Sequence, residues 1–285
     1  MDPDRFIFLR DNSFIFDEIK KLMTNNSPPR GLARIPNLFT LLNLIFGCLA
    51  IIFILQTGET IVLLRDEGFT DVNLPEKITW GSFMIFAAAI VDFLDGFIAR
   101  LFRATSKMGE QLDSLADVVS FGLAPGLILY QLLRISYAQE ENGLDISIAW
   151  LLPALLIPCA AAWRLAKFNL DIEQRVSFKG VPTPAAALVI ASLPLIIHFQ
   201  TFNLQFLLIN KWILYAVIIL LTYLMISNLP LIAMKASDLS LKNNLARYIL
   251  LVLGIIAAIT LRWLAVPVIF VLYVIISLAF KNKTS

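Results

Sequence analysis

The sequence predicts an all-α fold, a polytopic membrane helical bundle of about eight transmembrane helices, and three observations support this prediction. Hydrophobic residues make up 59% of the 285 residues and charged residues only 15%, which is outside the range of soluble domains. Apolar runs such as residues 35–55 have the length of about 20 residues that a helix needs to cross a bilayer. The alternating segments of a transmembrane barrel do not occur in the sequence. Lipid is therefore the expected main solvent of the folded chain.

Apolar segments separated by polar breaks give the predicted spans in chain order. They cover residues 35–57, 80–102, 110–136, 147–168, 183–200, 212–235, 247–262 and 264–280. Only a short hinge near Trp263 separates the last two. An even number of spans places both termini on the same side of the membrane.

The same breaks predict three regions. Residues 1–30 mix charges with aromatic side chains and lack the apolar core of a signal peptide. We expect them to form either an amphipathic helix on the membrane surface or a loose cytoplasmic extension. Residues 31–235 are the predicted main membrane domain, and residues 236–285 are a C-terminal transmembrane helix pair.

Lysine and arginine are distributed unevenly between the two predicted sides. The side shared by the termini collects most of them, including Arg103, Lys167 and Lys242, whereas the breaks on the other side are acidic, as at Glu140 and Asp145. Because cytoplasmic loops are enriched in Lys and Arg, both termini are predicted to be cytoplasmic, in a multi-pass protein of the cell (inner) membrane. The formal net charge of only +2 does not indicate a nucleic-acid partner.

Four aspartates in the second and third spans form the most unusual pattern. Asp92 and Asp95 are three residues apart, and Asp113 and Asp117 are four apart, so each pair occupies one stripe of a helix. The short turn between the two spans makes them antiparallel neighbours whose stripes can face each other. Four converging carboxylates near a membrane would repel one another unless cations compensate their charge.

All-oxygen ligands favour hard divalent cations, so Mg²⁺ or Mn²⁺ is the expected cofactor at Asp92, Asp95, Asp113 and Asp117. Two ions bridged by carboxylates would bind the oxygens of a diphosphate. Small residues, namely Gly96, Ala99 and Gly109, lie on the same stripes. They leave room for a nucleotide to approach the helix backbone closely.

These residues carry a resemblance to a known family. The pattern Asp92-x2-Asp95-Gly96-x2-Ala99-Arg100-x8-Gly109-x3-Asp113-x3-Asp117 is similar to the signature of the CDP-alcohol phosphotransferase family at every fixed position and spacing. The resemblance implies a membrane enzyme whose aspartates bind two metal ions that hold a CDP-linked diphosphate. It also implies that Asp117 is the catalytic base and that Arg100 lies near the phosphates.

The expected nucleotide-lipid site for CDP-diacylglycerol consists of Gly96, Ala99, Arg100, Gly109, Asn37 and Thr40. Asn37 and Thr40, with Asn43, lie at the cytoplasmic start of the first span, where uncharged polar groups are able to contact ribose or cytosine. Capping and packing explain Asn37 and Thr40 almost equally well.

Residues 35–43, 112–122, 164–169 and 178–186 resemble the serine-accepting members of the same family. The resemblance implies L-serine as the second substrate and a homodimer as the assembly. A serine carboxylate needs fixed donors, and the candidates are Arg164, Asn169, Lys179 and Thr183. Lys167 is a departure from the family pattern, since an arginine is expected there. Lysine keeps the charge and loses the forked geometry.

Other interpretations of the sequence stay open. Within the family, the acceptor alcohol can also be glycerol 3-phosphate or inositol phosphate. Membrane prenyltransferases use aspartates and Mg²⁺ as well, with two motifs far apart in sequence, and a transporter with an acidic cation site would show an internal repeat. This sequence has one compact aspartate cluster and no second copy of it. Cys48 and Cys159 are interpreted as buried small residues.

Overall fold

The computed structural model describes residues 35–56, 62–64, 70–72, 76–101, 106–140, 145–170, 180–229, 231 and 245–279. The predicted N-terminal extension, residues 1–30, lies outside these described residues. The whole of Lys179 also lies outside them. For Ala99 and Arg100 the helical backbone is described and the side chains are not.

The described residues form helices almost throughout. In chain order the α-helices are α1 (Ile35–Leu55), α2 (Glu76–Leu101), α3 (Lys107–Asp117), α4 (Ala124–Ala138), α5 (Leu156–Leu170), α6 (Thr183–His198), α7 (Gln205–Leu208), α8 (Lys211–Ile226), α9 (Leu245–Leu261) and α10 (Ala265–Ala279). Single 3-10 turns occupy Ile148–Trp150, Leu152–Leu155, Thr201–Asn203 and Arg262–Leu264. Between α1 and α2, strands β1 (Val62–Leu64) and β2 (Thr70–Val72) form a short antiparallel ladder.

By length and composition, four described segments are able to cross a membrane: Asn37–Leu55, Lys77–Ile98, Lys107–Ala138 and Arg247–Ala279. Helices α6 and α8 are apolar and shorter. The fourth predicted span, residues 147–168, begins as 3-10 turns and becomes α-helical only at Leu156. The helical character predicted from the sequence is confirmed, apart from the short ladder of β1 and β2. Four of the described segments, where about eight were expected, are long and apolar enough to cross a membrane.

A π-helix follows Asp117 without a break. Residues Val118–Leu123 continue α3 into α4 with one wider turn, which the apolar pattern did not predict. Two neighbouring helices pack closely against this turn. A Cβ on Gly47 of α1 would lie 2.9 Å from the Ser120 Cα, and one on Gly122 would lie 3.0 Å from the Ala161 Cβ of α5. Single π-turns of this kind are frequent at functional sites.

Helix α6 is the centre of the bundle. It contacts α2, α4, α8 and α10, and most of its residues are buried, including Ile190 and Leu195. A helix that is apolar all round belongs in the interior. On the outside, α1 and α9 expose large apolar side chains such as Ile45, Ile255 and Ile259, as expected of a surface that faces lipid.

The structure corrects the interpretation of the two cysteines as buried residues. Both Cys48 and Cys159 are exposed on the protein surface rather than buried in the bundle. In a membrane helix the outward face is as apolar as the inward face, so an apolar neighbourhood in sequence does not distinguish them.

Helices α9 and α10 form a hairpin whose turn is fixed by aromatic contacts. Arg262 has a φ of 52° at this turn. The next residue, Trp263, stacks on Phe199 at 6.2 Å and meets Phe83 and Phe86 edge-on at 5.8 and 5.7 Å between ring centroids. These contacts tie the hairpin to the ends of α2 and α6.

Candidate metal centre

Three aspartates from α2 and α3 converge at one end of the bundle. Asp92, Asp113 and Asp117 each offer a carboxylate oxygen, and these oxygens all lie within 4.8 Å of one another. The carboxylates repel one another, since Asp117 interacts unfavourably with both of the others. Asp117 is also only 7% exposed. Partly buried carboxylates this close together need a cation or protons to compensate their charge.

Asp95 lies outside this group of three, although its carboxylate interacts unfavourably with those of Asp92 and Asp113. Its Oδ2 accepts a hydrogen bond of 2.5 Å from the Thr40 hydroxyl of α1. Its Oδ1 is buried and has no hydrogen-bond partner among the described residues. Because an unpaired buried carboxylate oxygen is costly, this atom fits a role as a cation ligand. The donor set, all carboxylate oxygens, suits Mg²⁺ or Mn²⁺.

Asn43 of α1 holds the carboxylate of Asp117. Its Nδ2 donates to Asp117 Oδ1 at 3.1 Å, and its backbone carbonyl accepts from the Ser120 hydroxyl at 3.1 Å. Asn43 is fully buried. Helix α1 therefore places one polar side chain on each of two aspartates, Thr40 on Asp95 and Asn43 on Asp117. From the sequence, Thr40 and Asn43 were candidate nucleotide contacts, with capping or packing as the alternative for Thr40, and neither was expected to bind an aspartate.

The two glycines of the predicted nucleotide site differ in their surroundings. A Cβ on Gly96 would meet no atom within 4 Å, so this part of α2 faces open space. A Cβ on Gly109 would lie 2.9 Å from Asn37 Oδ1 and 3.1 Å from Ser106 Oγ. Gly109 thus lets Asn37 lie against the first turn of α3, where the Ser106 hydroxyl caps the helix by accepting from the Gly109 N–H at 2.9 Å.

The candidate serine-binding residues lie on α5 and at the start of α6. Arg164 is close enough to Asp117 for a favourable charge interaction, and its Nε has no hydrogen-bond partner among the described residues. Asn169 donates to the Ser114 hydroxyl at 2.9 Å, next to Asp113. Thr183 is buried, and its hydroxyl also lacks a partner among the described residues.

Several contacts hold the end of α8 and the residues that follow it beside these side chains. Lys167 donates to Asn228 Oδ1 at 2.7 Å. Gly180 has a φ of +75° and lies so close to α8 that a Cβ would be 2.6 Å from the Ser227 carbonyl oxygen. Hydrogen bonds from Gly180 N to Leu229 O and from Val181 N to Leu224 O fix the entry into α6. Glycine is needed here for both the φ and the space.

One residue near the site escaped sequence analysis. Tyr273 of α10 interacts electrostatically with Arg164. It lies in an apolar helix outside the stretches that resemble the family, so nothing in the neighbouring sequence marked it as a site residue.

Fold and site together define a helical membrane protein with a carboxylate cluster suited to divalent cations. Residues 33–224 match the CDP-alcohol phosphatidyltransferase family, and the chain belongs to that family. Members of this family are divalent-metal-dependent transferases. The resemblance seen in the sequence is thereby confirmed.

Curated relatives share one activity name, CDP-diacylglycerol–serine O-phosphatidyltransferase. The Helicobacter pylori relative is 31% identical over 207 residues, which cover 71% of this chain and 73% of the relative. The Bacillus subtilis relative is 32% identical over 132 residues, covering 45% and 70%. The Saccharomyces cerevisiae relative is 34% identical over 125 residues, covering 41% of each chain.

Proposed function

We propose that this protein transfers the phosphatidyl group of CDP-diacylglycerol to the hydroxyl of L-serine, which yields phosphatidylserine and CMP. The observation that carries the proposal is the aspartate cluster: three carboxylates have oxygens within 4.8 Å of one another, and a buried oxygen of Asp95 has no hydrogen-bond partner among the described residues. The choice of serine is supported by the activity named for the relatives.

Asp92, Asp95, Asp113 and Asp117 would hold two divalent ions, Mg²⁺ or Mn²⁺. When bound, such ions neutralise a diphosphate and make its phosphorus more electrophilic. The chain itself prepares the site by holding the carboxylates in place through Thr40 and Asn43. Such outer hydrogen bonds orient metal ligands and tune their basicity.

Asp117 is the proposed general base. Asn43 occupies its Oδ1, so Oδ2 is the oxygen that takes the proton of the serine hydroxyl. The serine oxygen then bonds to the phosphorus on the diacylglycerol side, and the bond from that phosphorus to the oxygen of CMP breaks. CMP leaves as an anion that needs little protonation. Most of the rate gain comes from positioning and charge compensation.

The two substrates occupy different parts of the site in this proposal. Gly96, Ala99, Arg100, Gly109, Asn37 and Thr40 contact CDP-diacylglycerol. The open face at Gly96 supports this assignment, since a nucleotide needs room beside α2. Arg164, Asn169, Lys179 and Thr183 bind serine. The Arg164 Nε and the Thr183 hydroxyl, which have no hydrogen-bond partner among the described residues, are donors suited to a carboxylate.

The proposed topology has about eight membrane crossings, with the short helices α5, α6 and α8 crossing as part of the bundle. The lysine and arginine distribution supports cytoplasmic termini and a cytoplasmic active site in the cell inner membrane. The three-region division and a homodimer belong to the same proposal. Cysteine labelling from either side of sealed vesicles tests the proposed topology. Cross-linking in detergent tests the homodimer.

An acceptor panel tests the proposed reaction. The purified protein would be given CDP-diacylglycerol and Mn²⁺ with serine, glycerol 3-phosphate or inositol phosphate separately, and both CMP and the lipid product would be measured. We expect CMP release and phosphatidylserine only with serine. Release with another acceptor would keep the metal site and overturn the serine assignment. No release with any of them would contradict transfer altogether.

A further inference from the structure

A serine on the π-turn bonds to a neighbouring helix rather than to its own. The Ser120 hydroxyl donates to the backbone carbonyl of Asn43 in α1 at 3.1 Å, 77 positions away in sequence. Serines inside helices often bond a carbonyl three or four residues earlier in the same helix, as Ser192 does with Val189 O at 2.6 Å. Ser120 is fully buried. Its hydroxyl therefore joins α1 to the π-turn instead of supporting its own helix.

The lack of a side chain at Gly47 gives Ser120 access to this carbonyl. Gly47 is four residues after Asn43, and in an α-helix the N–H at that position pairs with the same carbonyl. A Cβ on Gly47 would lie 2.9 Å from the Ser120 Cα and 3.1 Å from the Ser120 Cβ. A larger residue would push the π-turn away from α1, so glycine at this position maintains the contact.

The π-turn is held from its opposite side as well. Gly122 lies two residues after Ser120, and residues two apart in a helix do not share a face. A Cβ on Gly122 would lie 3.0 Å from the Ala161 Cβ and 3.4 Å from the Pro158 Cα, both on α5. The turn is thus packed between α1 and α5, with little room to move.

The side chain of Asn43 reaches the aspartate cluster from the same place. Its Nδ2 donates to Asp117 Oδ1 at 3.1 Å. Asn43 is therefore attached to one segment at two points, through its carbonyl to Ser120 and through its amide to Asp117. Buried hydrogen-bond networks of this kind rigidify the groups that they join. Two attachments fix the rotation of α1 beside Asp117, which a single bond would not.

We propose that Ser120 is a positioning residue for the general base. Its bond to the Asn43 carbonyl keeps the Asn43 amide where it holds Asp117 Oδ1, so that Oδ2 stays directed toward the serine hydroxyl. The proposal rests on the proposed function, in which Asp117 takes the proton of that hydroxyl. Ser120 does not touch the reacting atoms, and it acts through Asn43.

Ser120→Ala tests this role because it removes the hydroxyl and keeps the Cβ. We expect kcat for serine-dependent CMP release to fall about tenfold, less than the roughly hundredfold that a displacement of about 1 Å costs. The KM values for serine and CDP-diacylglycerol should stay within about twofold of wild type, because base alignment acts mainly in the transition state. Ser192→Ala is the matched control, since it removes another fully buried hydroxyl bonded to a carbonyl. It should leave all three constants unchanged.

The Asn43→Ala background separates positioning from a purely structural role. The backbone carbonyl of residue 43 remains in that variant, so the Ser120 bond still stabilises the fold, whereas the amide that reaches Asp117 is gone. Ser120→Ala should therefore lower the unfolding temperature in both backgrounds and lower kcat only when Asn43 is present. A general distortion of the bundle would lower kcat by the same factor in both.

Crowding at Gly47 disturbs the same bond from the other helix. Gly47→Ala should lower kcat at least as much as Ser120→Ala, because the added Cβ displaces Ser120. Gly81→Ala is its control: a Cβ there would lie 2.6 Å from Ile54 Cγ1, so it also crowds α1, about 16 Å along that helix from Asn43. Both variants should lower the unfolding temperature, and only Gly47→Ala should lower kcat.

The outcomes separate this inference from the proposed function. If the wild type uses serine and Ser120→Ala keeps kcat within about twofold, the positioning role is wrong and the proposed function stands. Equal losses of kcat with and without the Asn43 side chain would also overturn the role. If the wild type releases no CMP with serine, the proposed function and this inference both fall. Ser120→Cys keeps a weak donor, so its kcat should lie between those of the wild type and Ser120→Ala.

Discussion

The two ends of the long helical segment Lys107–Ala138 carry different polar groups. At the end near Asp117, buried polar atoms lack partners among the described residues, including Asp95 Oδ1 and Arg164 Nε. At the other end, about 30 Å along the helix, a set of polar groups near the surface is paired, although the buried hydroxyls of Thr79, Ser82 and Thr201 also lack partners among the described residues. The Tyr137 and Tyr215 hydroxyls are 2.9 Å apart, and Tyr215 donates to the Trp150 carbonyl at 2.6 Å.

A lysine completes the paired end. Lys211 forms an ion pair with Glu140 and lies 4.8 Å above the Tyr137 ring centroid. Buried polar groups in proteins are normally hydrogen-bonded, and the exceptions often mark sites of function. The end at Asp117 therefore differs in chemistry: its unpaired buried atoms include a carboxylate oxygen and a guanidinium nitrogen, which are costlier to leave without a partner than the hydroxyls at the other end. Variants at the two ends should therefore affect different quantities.

The largest expected effect is the loss of the base. Asp117→Asn should lower the rate of CMP release by about a thousandfold, within the range of general-base catalysis, and by more if a metal ion is lost too. Nucleotide binding should persist in part, because the other three aspartates remain. Stopped assays of CMP release and a CDP-binding titration measure the two effects.

The matched control for that variant is Asp145→Asn, which changes an exposed aspartate outside the cluster. It should keep wild-type turnover. Equal turnover in Asp117→Asn and the wild type would remove Asp117 from the mechanism.

A smaller loss is expected when the support of a ligand is removed. Thr40→Val deletes the donor to Asp95 Oδ2 and keeps the side-chain shape. Removal of such outer partners costs about 10- to 100-fold in metal affinity or activity. We expect a higher Mg²⁺ or Mn²⁺ concentration for half-maximal activity. An unchanged metal requirement would show that Asp95 needs no support from α1.

The next change acts on the segment that enters α6. Gly180→Ala forces a Cβ to 2.6 Å from the Ser227 carbonyl, at a φ of +75°. Strain of this kind costs about 1–3 kcal/mol, so we expect a lower unfolding temperature. We also expect weaker use of serine, because Thr183 lies only three residues further along the chain.

Gly254→Ala is its control, since a Cβ there lies 3.9 Å from its nearest neighbour in the α9–α10 hairpin, Ile269. This variant should be neutral or slightly stabilising. Similar unfolding temperatures for the two alanine variants would contradict a fixed conformation at Gly180.

The smallest effect on activity belongs to the paired end. Tyr215→Phe removes the bonds to Tyr137 and the Trp150 carbonyl. Each net hydrogen bond contributes about 1 kcal/mol, so the unfolding temperature should fall while serine-dependent turnover stays at the wild-type level. If Tyr215→Phe lowered turnover and left the unfolding temperature unchanged, the end at Tyr215 would serve catalysis rather than stability.

Much of the site followed from helical periodicity. Aspartates spaced three and four residues apart on adjacent helices predicted facing stripes, and Asp92, Asp113 and Asp117 do lie together. The contacts of Thr40 with Asp95 and of Asn43 with Asp117 join residues 55 and 74 positions apart. Such pairings depend on how α1 rotates against its neighbours, which periodicity within one helix does not specify.

Other features of the fold were hidden for physical reasons. The π-turn Val118–Leu123 changes one backbone step without changing the apolar pattern. The outward faces of Cys48 and Cys159 are invisible to hydropathy, because lipid and protein interior are equally apolar.

The most direct test of the account is a divalent-cation titration of serine-dependent CMP release by the purified protein, alongside Asp113→Asn. The account predicts no release after chelation, recovery on adding Mg²⁺ or Mn²⁺, and no recovery in the variant. Serine-dependent release that persists under chelation, or that survives in Asp113→Asn, would contradict a metal-dependent role for the aspartate cluster.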